Sequence, residues 1–210
     1  MSVTAANASR LPGIADMSAG ELGLVMLWAD PHAWRLNRAT QLAAVADALA
    51  DGIEAARTLR APFAGRSAEQ IARELGVPVE TTDSDPMVGT IWRFAEYRSR
   101  PPRILLYRRG LGPLECNLTG DRAASLLGQA TPRDVFIAHE LYHHIEAVRS
   151  EPPIARRYRP TLFRIGNWHW RTGIAALAEI AAGAFAQSLL ELPCHPKVLD
   201  RVVVDAIAAA

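Results

Sequence analysis

The stretch His139-Glu140-Leu141-Tyr142-His143 has the residue types and spacing for chemistry. Two imidazoles four positions apart sit one turn apart on an α-helix, close enough to bind a single ion. The carboxylate between them can serve as a general base on metal-bound water. At 100° per residue, with His139 as origin, His143 falls at roughly 40° and Glu140 at roughly 100°, while Ile137, Leu141, Ile145 and Val148 lie between about 160° and 240°. One face of such a helix packs into a core and the other presents two imidazoles and a carboxylate. The residues just ahead, Val135-Phe136-Ile137-Ala138, are all apolar, as expected of a helix buried on most sides and not of a solvated histidine-rich face.

A hydrolytic zinc site needs a third protein ligand and an open position for water. Glu146 shares the histidine face, but seven residues of helix rise about 10.5 Å, too far to share one ion with His139. His144 falls off that face, and position 149, where a metzincin third histidine would stand, is Arg149. Glu179 is the best candidate. It is the carboxylate in the middle of an Ala-rich segment over 173–192, and Ala175, Ala182, Gly183 and Ala186 on its face would let a second helix approach the motif helix closely. His169 and Glu191 remain rivals for the same position.

The elements that must carry these residues follow from pattern and punctuation. The chain has 210 residues, half of them hydrophobic and 21% charged, so it folds and can bury a core with a polar site inside it. A net charge of +1 offers no global field for nucleic acid or an anionic membrane, and neither partner is expected. Of the 23 basic residues only Lys197 is lysine, a compositional bias that lowers the weight of any arginine cluster. Cys116 and Cys194 read as free thiols in a reducing compartment. The opening MSVTAANASRLPG has no basic region followed by an apolar run, and Leu22 to Ala29 is too short to span a bilayer, so a cytoplasmic protein is expected.

Residues 1–16 read as a loose terminus. Helices are predicted over 17–29, 38–60, 67–76, 120–128, 132–149, 173–192 and 196–208, and strands over 77–82, 88–97 and 103–108. Leu42, Val45, Ala46, Leu49, Ile53 and Ala56 form the apolar face of the second helix. Gly110, Gly112 and Pro113 mark a loop, and the prolines of 150–160 an irregular segment. The sum is a mostly helical α+β domain with a small antiparallel three-stranded sheet and extra N-terminal helices.

Phe136-Ile137-Ala138-His139-Glu140-Leu141-Tyr142-His143-His144 resembles the zinc-binding helix of the ImmA/IrrE-type metallopeptidases. The later stretch Glu179-Ile-Ala-Ala182-Gly-Ala-Phe185-Ala186-Gln-Ser-Leu189-Leu190, running on to Pro193, is similar to that family's second signature. Ser67 to Val79 resembles its first helix and strand, and Arg103 to Tyr107 the strand before its active helix. The resemblance implies a gluzincin-like site with His139, His143 and Glu179 as ligands of one zinc ion per chain and Glu140 as base. It implies a zincin-like metallopeptidase domain over 67–193, a helical extension over 1–66 and a C-terminal helix over 194–210. The 36 positions from His143 to Glu179 are long for the family, so about 150–172 read as an insertion. No helix-turn-helix is evident in 1–66, and direct DNA binding is not carried over.

The function implied is a zinc-dependent endopeptidase of narrow, regulatory specificity that hydrolyses a peptide bond by metal-activated water, with a protein or peptide as substrate. The alternative is a catalytically idle zincin fold that binds a partner, against which an intact Glu140 argues. Tyr158 and His169, in the insertion, are candidate transition-state stabilisers. Trp168 and Trp170 suit a lid, or more simply packing against the core. The strand 103–108 is the candidate edge for an extended substrate. Arg108, Arg109, Arg156, Arg157 and Arg159 form either a basic rim or, as the preferred reading, solvated surface. Cys194-His195 is a weak second metal signal for which a structural role is preferred.

Overall fold

Four helices in this chain start where an N-cap side chain satisfies the first backbone N–H groups. Ser18 with Glu21, Ser67 with Gln70 and Thr131 with Asp134 each form a reciprocal capping box, and Asn37 accepts from the Thr40 N–H. The computed structural model describes residues 17–89 and 91–208; the terminus expected over 1–16 lies outside them. In chain order the elements are α1 (Ala19–Trp28), α2 (Arg38–Arg60), α3 (Ala68–Glu74), β1 (Val79–Thr82), β2 (Met87–Val88), β3 (Ile91–Trp92), β4 (Ala95–Ser99), β5 (Pro102–Tyr107), α4 (Arg108–Asn117), α5 (Gly120–Leu127), α6 (Pro132–Val148), α7 (Ile154–Arg157), β6 (Thr161–Ile165), β7 (Trp168–Arg171), α8 (Ala176–Leu190) and α9 (Val198–Ala208). The α+β class holds.

The core is built on α8, which packs chiefly on α2 and α6. The face of α2 turned inward is Ala44, Val45, Ala48, Gly52 and Ala56; of the expected face Val45 and Ala56 are buried and Leu49 is half-buried, while Leu42, Ala46 and Ile53 are exposed. Close approach selects that face. A Cβ on Gly52 would stand 2.1 Å from the Ala181 carbonyl oxygen and 2.9 Å from the Phe185 nitrogen, so the two backbones meet where Gly52 has no side chain. Ala181, Ala182, Phe185 and Ala186 of α8 are fully buried beneath it. Helix α2 therefore shares one hydrophobic cluster with α6, α8 and β5, and this cluster runs across the boundary drawn at residue 66. A second cluster joins Leu114, Leu118, Leu127 and Val135 to Leu192, Leu199, Val202 and Val203.

The three-stranded sheet has the order β1-β5-β4. β4 and β5 form an antiparallel pair, but β1 runs parallel to β5, Val79 facing Ile104 and Thr82 facing Tyr107. The sheet is mixed where an antiparallel one was expected, because the chain between β1 and β5 turns back through β2, β3 and β4. The segment predicted as one strand over 88–97 is divided by the turn at Gly89 (φ +60°) into the β2–β3 hairpin and β4. The predicted edge, 103–108, is instead the central strand. It is buried through Ile104, Leu106 and Tyr107, and β1 and β4 are the edges. The glycines and proline after it do not make a loop: α4 forms there because Leu111 and Leu114 are buried, with Gly110 lying against the Arg93 carbonyl.

Within 150–172, the segment read as an insertion, β6 and β7 form a hairpin that the sequence pattern does not reveal. Its tryptophans are exposed and do not pack on the core, Trp168 being 84% accessible. No described helix is long and apolar enough to cross a membrane.

Candidate metal centre

Helix α6 begins with Thr131 as cap and Pro132 in its first turn, where a missing N–H costs nothing. It buries Val135, Ile137, Ala138, Leu141 and Tyr142 completely. That orientation leaves His139 and His143 on the opposite side, one turn apart, with ring centroids 5.2 Å from each other. Val148, expected on the buried face, is exposed near the end of the helix.

Glu179 lies in the first turn of α8, because the helix begins at Ala176; the expected mid-helix position is corrected by three residues of non-helical chain. The start of α8 is capped from a distance. Residue 175 is an alanine with no capping side chain, and the buried carboxylate of Asp30, in the chain after α1, accepts the Ala176 N–H at 3.2 Å and the His32 N–H at 2.9 Å. A carboxylate at this end of α8 also lies near the positive pole of the helix dipole.

Glu179 turns one oxygen to each imidazole. Oε2 is 3.1 Å from His139 Nε2 and Oε1 is 3.5 Å from His143 Nε2. The three side chains offer ligand atoms all within 4.8 Å of one another, a group that could hold a metal ion. Two imidazoles with one carboxylate suit zinc chemically, leaving a fourth position for water. Among the described residues no other such group of three is found. In the chain alone the three are strongly coupled. Burial opposes ionisation of Glu179, but hydrogen bonding and charge from His139, with the charge of His143, hold it down at about 2. Burial and the neighbouring His139 lower His143 to about 4. His139 is raised despite its burial by its hydrogen bond to Glu179.

Glu140 is the motif residue turned away from this group. It is 9% exposed, and its Oε2 accepts the backbone N–H of Tyr97 at 2.7 Å. Burial raises its pKa, offset in part by His139 and the Tyr97 N–H. The Tyr97 hydroxyl in turn meets His144 Nδ1 at 3.0 Å. Edge strand β4 is thus clipped to α6 at two points, with Phe94 stacked on Phe136 as a third (centroids 4.3 Å apart). The role of His144 escaped the sequence reading, which saw only that it leaves the ligand face. That same displacement was the signal that it serves another surface.

The remaining candidates are not members of this group. Tyr158 donates its hydroxyl to Asp47 of α2, and burial with this hydrogen bond raises it to about 12. His169 is exposed on β7 opposite Arg164. No hydrogen bond, ion pair or ring contact joins either to the His139–His143–Glu179 group among the described residues. Glu191 is occupied by Arg60 at 2.6 Å, which removes it as a rival ligand. Cys194 donates to the Leu126 carbonyl. The buried His195 accepts the Lys197 N–H on Nδ1 and lies over Gly183, where a Cβ would approach its ring to 2.4 Å. Both have structural partners. Of the arginine rim, Arg108 pairs with Asp83 and Arg157 with Asp51. Comparison with protein-family models, curated proteins and solved structures finds no match to this chain.

Proposed function

We propose that this protein is a zinc-dependent endopeptidase with a zincin-like site, in which His139, His143 and Glu179 hold the ion. The observation that carries the proposal is the convergence of the three ligand atoms within 4.8 Å beside a buried Glu140. Zinc held there would supply Lewis acidity toward a scissile carbonyl and toward water. Glu140 takes the proton of the attacking water and delivers it to the departing amine. Its raised pKa favours the second transfer, since the protonated acid must persist until the C–N bond breaks. Tyr97 and His144 fix β4 against α6 and so set the direction of the Glu140 carboxylate. As an edge of the sheet, β4 is the strand on which an extended peptide can be laid beside Glu140.

Elemental analysis of purified protein should give close to one zinc per chain. Glu140→Gln should keep that zinc and lose hydrolysis of a cleaved substrate by at least about 100-fold. His143→Ala should lose the zinc. A substrate can be found by comparing proteomes of cells carrying the wild type and Glu140→Gln. Full cleavage by Glu140→Gln, or no metal in the wild type, overturns the assignment.

A further inference from the structure

Among the described residues, Trp168 and Ile165 of the β6–β7 hairpin are the most exposed large apolar side chains. Phe163 faces Trp170 and Ile165 faces Trp168 across the two strands, so all four side chains share one face, while Arg164 and His169 share the other. None of them enters the core: Ile165 is 70% and Trp168 84% accessible. The turn, Gly166-Asn167 with Gly166 at φ +57°, places Ile165 and Trp168 at the tip. Phe163 and Trp170, further down, are stacked on each other at 5.7 Å and 9°.

Charge runs the other way along the hairpin. Residues 152–178 contain Arg156, Arg157, Arg159, Arg164 and Arg171 and no carboxylate, although 22 acidic residues spread evenly over 210 would place about three there. The absence of acids, and not the choice of arginine over lysine, is what makes this segment positive. Arg159 and Arg171 lie at the base, where Arg159 donates to the Arg171 carbonyl. Arg35, stacked on the exposed Trp34, donates to the Thr161 carbonyl at the same end. Four residues of strand separate base from tip, about 13 Å. The profile is an apolar wedge of Ile and Trp on a cationic base.

We propose that this hairpin docks the protein on an anionic lipid surface, with Ile165 and Trp168 entering the headgroup boundary and the base arginines against lipid phosphates. The depth profile matches that boundary, where tryptophan is favoured, apolar side chains reach about 5–10 Å inward and each arginine near the surface adds attraction. The inner aromatic pair is already stacked on itself, and the arginines at the base complement anionic phosphates.

The test is sedimentation of the full chain with vesicles of phosphatidylcholine alone and with about a third phosphatidylglycerol. The wild type should bind the anionic vesicles and not the neutral ones. Ile165→Ser with Trp168→Ser should weaken binding roughly tenfold or more, and Arg159→Gln with Arg171→Gln by a similar factor. Far-UV circular dichroism should show both variants folded, because all four side chains are exposed. No binding to anionic vesicles overturns the proposal, as does equal binding by the tip variant. A concentration-dependent dimer that the tip variant abolishes, without lipid binding, would assign the face to a second copy instead. None of these outcomes depends on zinc or on hydrolysis.

Discussion

Among individual residues, Glu179 and Asp51 show two uses of a carboxylate's charge, the first half-exposed and the second buried. Glu179 has a carboxylate held ionised between two imidazoles, an arrangement that suits a bound cation. Asp51, 6% exposed at its side chain, is saturated by protein donors: the Tyr142 hydroxyl at 2.6 Å, Arg149 at 2.8 Å and Arg157 at 2.6 Å. It joins α2 to the end of α6 and to α7. Burial pushes its pKa up, but the three donors prevail and hold it below the ordinary 3.8. A carboxylate with a depressed folded pKa contributes stability that is fully present above its unfolded value and lost as pH falls through the folded one. Asp51→Asn should therefore cost about 3 kcal/mol in urea titrations at pH 7, since it leaves two guanidinium groups without their anion. The gap from wild type should narrow only below about pH 4. An unchanged midpoint at pH 7 would show that solvent replaces the carboxylate.

At the scale of elements, the contact between α2 and α8 places Glu179. Gly52 lets the two backbones touch at Ala181, two residues beyond Glu179 in α8. In an isolated helix Gly→Ala would stabilise by about 1 kcal/mol, but here the added methyl meets a carbonyl and an amide that cannot rotate away. Gly52→Ala should lower stability by about 2 kcal/mol and reduce zinc affinity measured by competition with a chelator, because α8 must move relative to α6. A gain in melting temperature would show that the helices separate freely. The element boundaries were largely legible: α2 spans the predicted residues, and α6 and α8 lie within theirs. Caps and 3.6-residue periodicity act within a few turns. The face of α2 was legible at Val45, Leu49 and Ala56, but it includes Ala44, Ala48 and Gly52 and leaves out Leu42 and Ile53 through a close approach that only its partner helix defines. Likewise α4 formed across Gly110 and Pro113 because distant residues bury Leu111 and Leu114.

For the whole molecule, the question is whether residues before 67 are an appendage. Ala44, Val45, Ala48 and Ala56 lie in the same cluster as Ile137, Leu141, Ile180 and Phe185, and Asp30 caps the helix that bears Glu179. A chain beginning at Ser67 would expose the buried face of α8 along α2. It should show no cooperative thermal transition and no stoichiometric zinc. A folded, zinc-loaded fragment would establish 67–210 as an independent unit. The charge distribution has the same lesson at larger scale. A net charge of +1 conceals a positive, carboxylate-free segment on one projecting hairpin.

The sequence by itself determined the helix carrying His139, Glu140 and His143, its cap and its inward face, since these depend on residues a turn or two apart. It also singled out Glu179, for its small-residue surroundings. Tertiary structure alone decided that Glu179 reaches both imidazoles, that 103–108 is a central strand while the Tyr97 N–H of β4 meets Glu140, and that Trp168 and Trp170 face solvent. Each of these depends on surfaces brought together from positions 40 to 150 residues apart or on the lack of any such surface. Burial and close approach are properties of the assembled pair, and no local pattern records them.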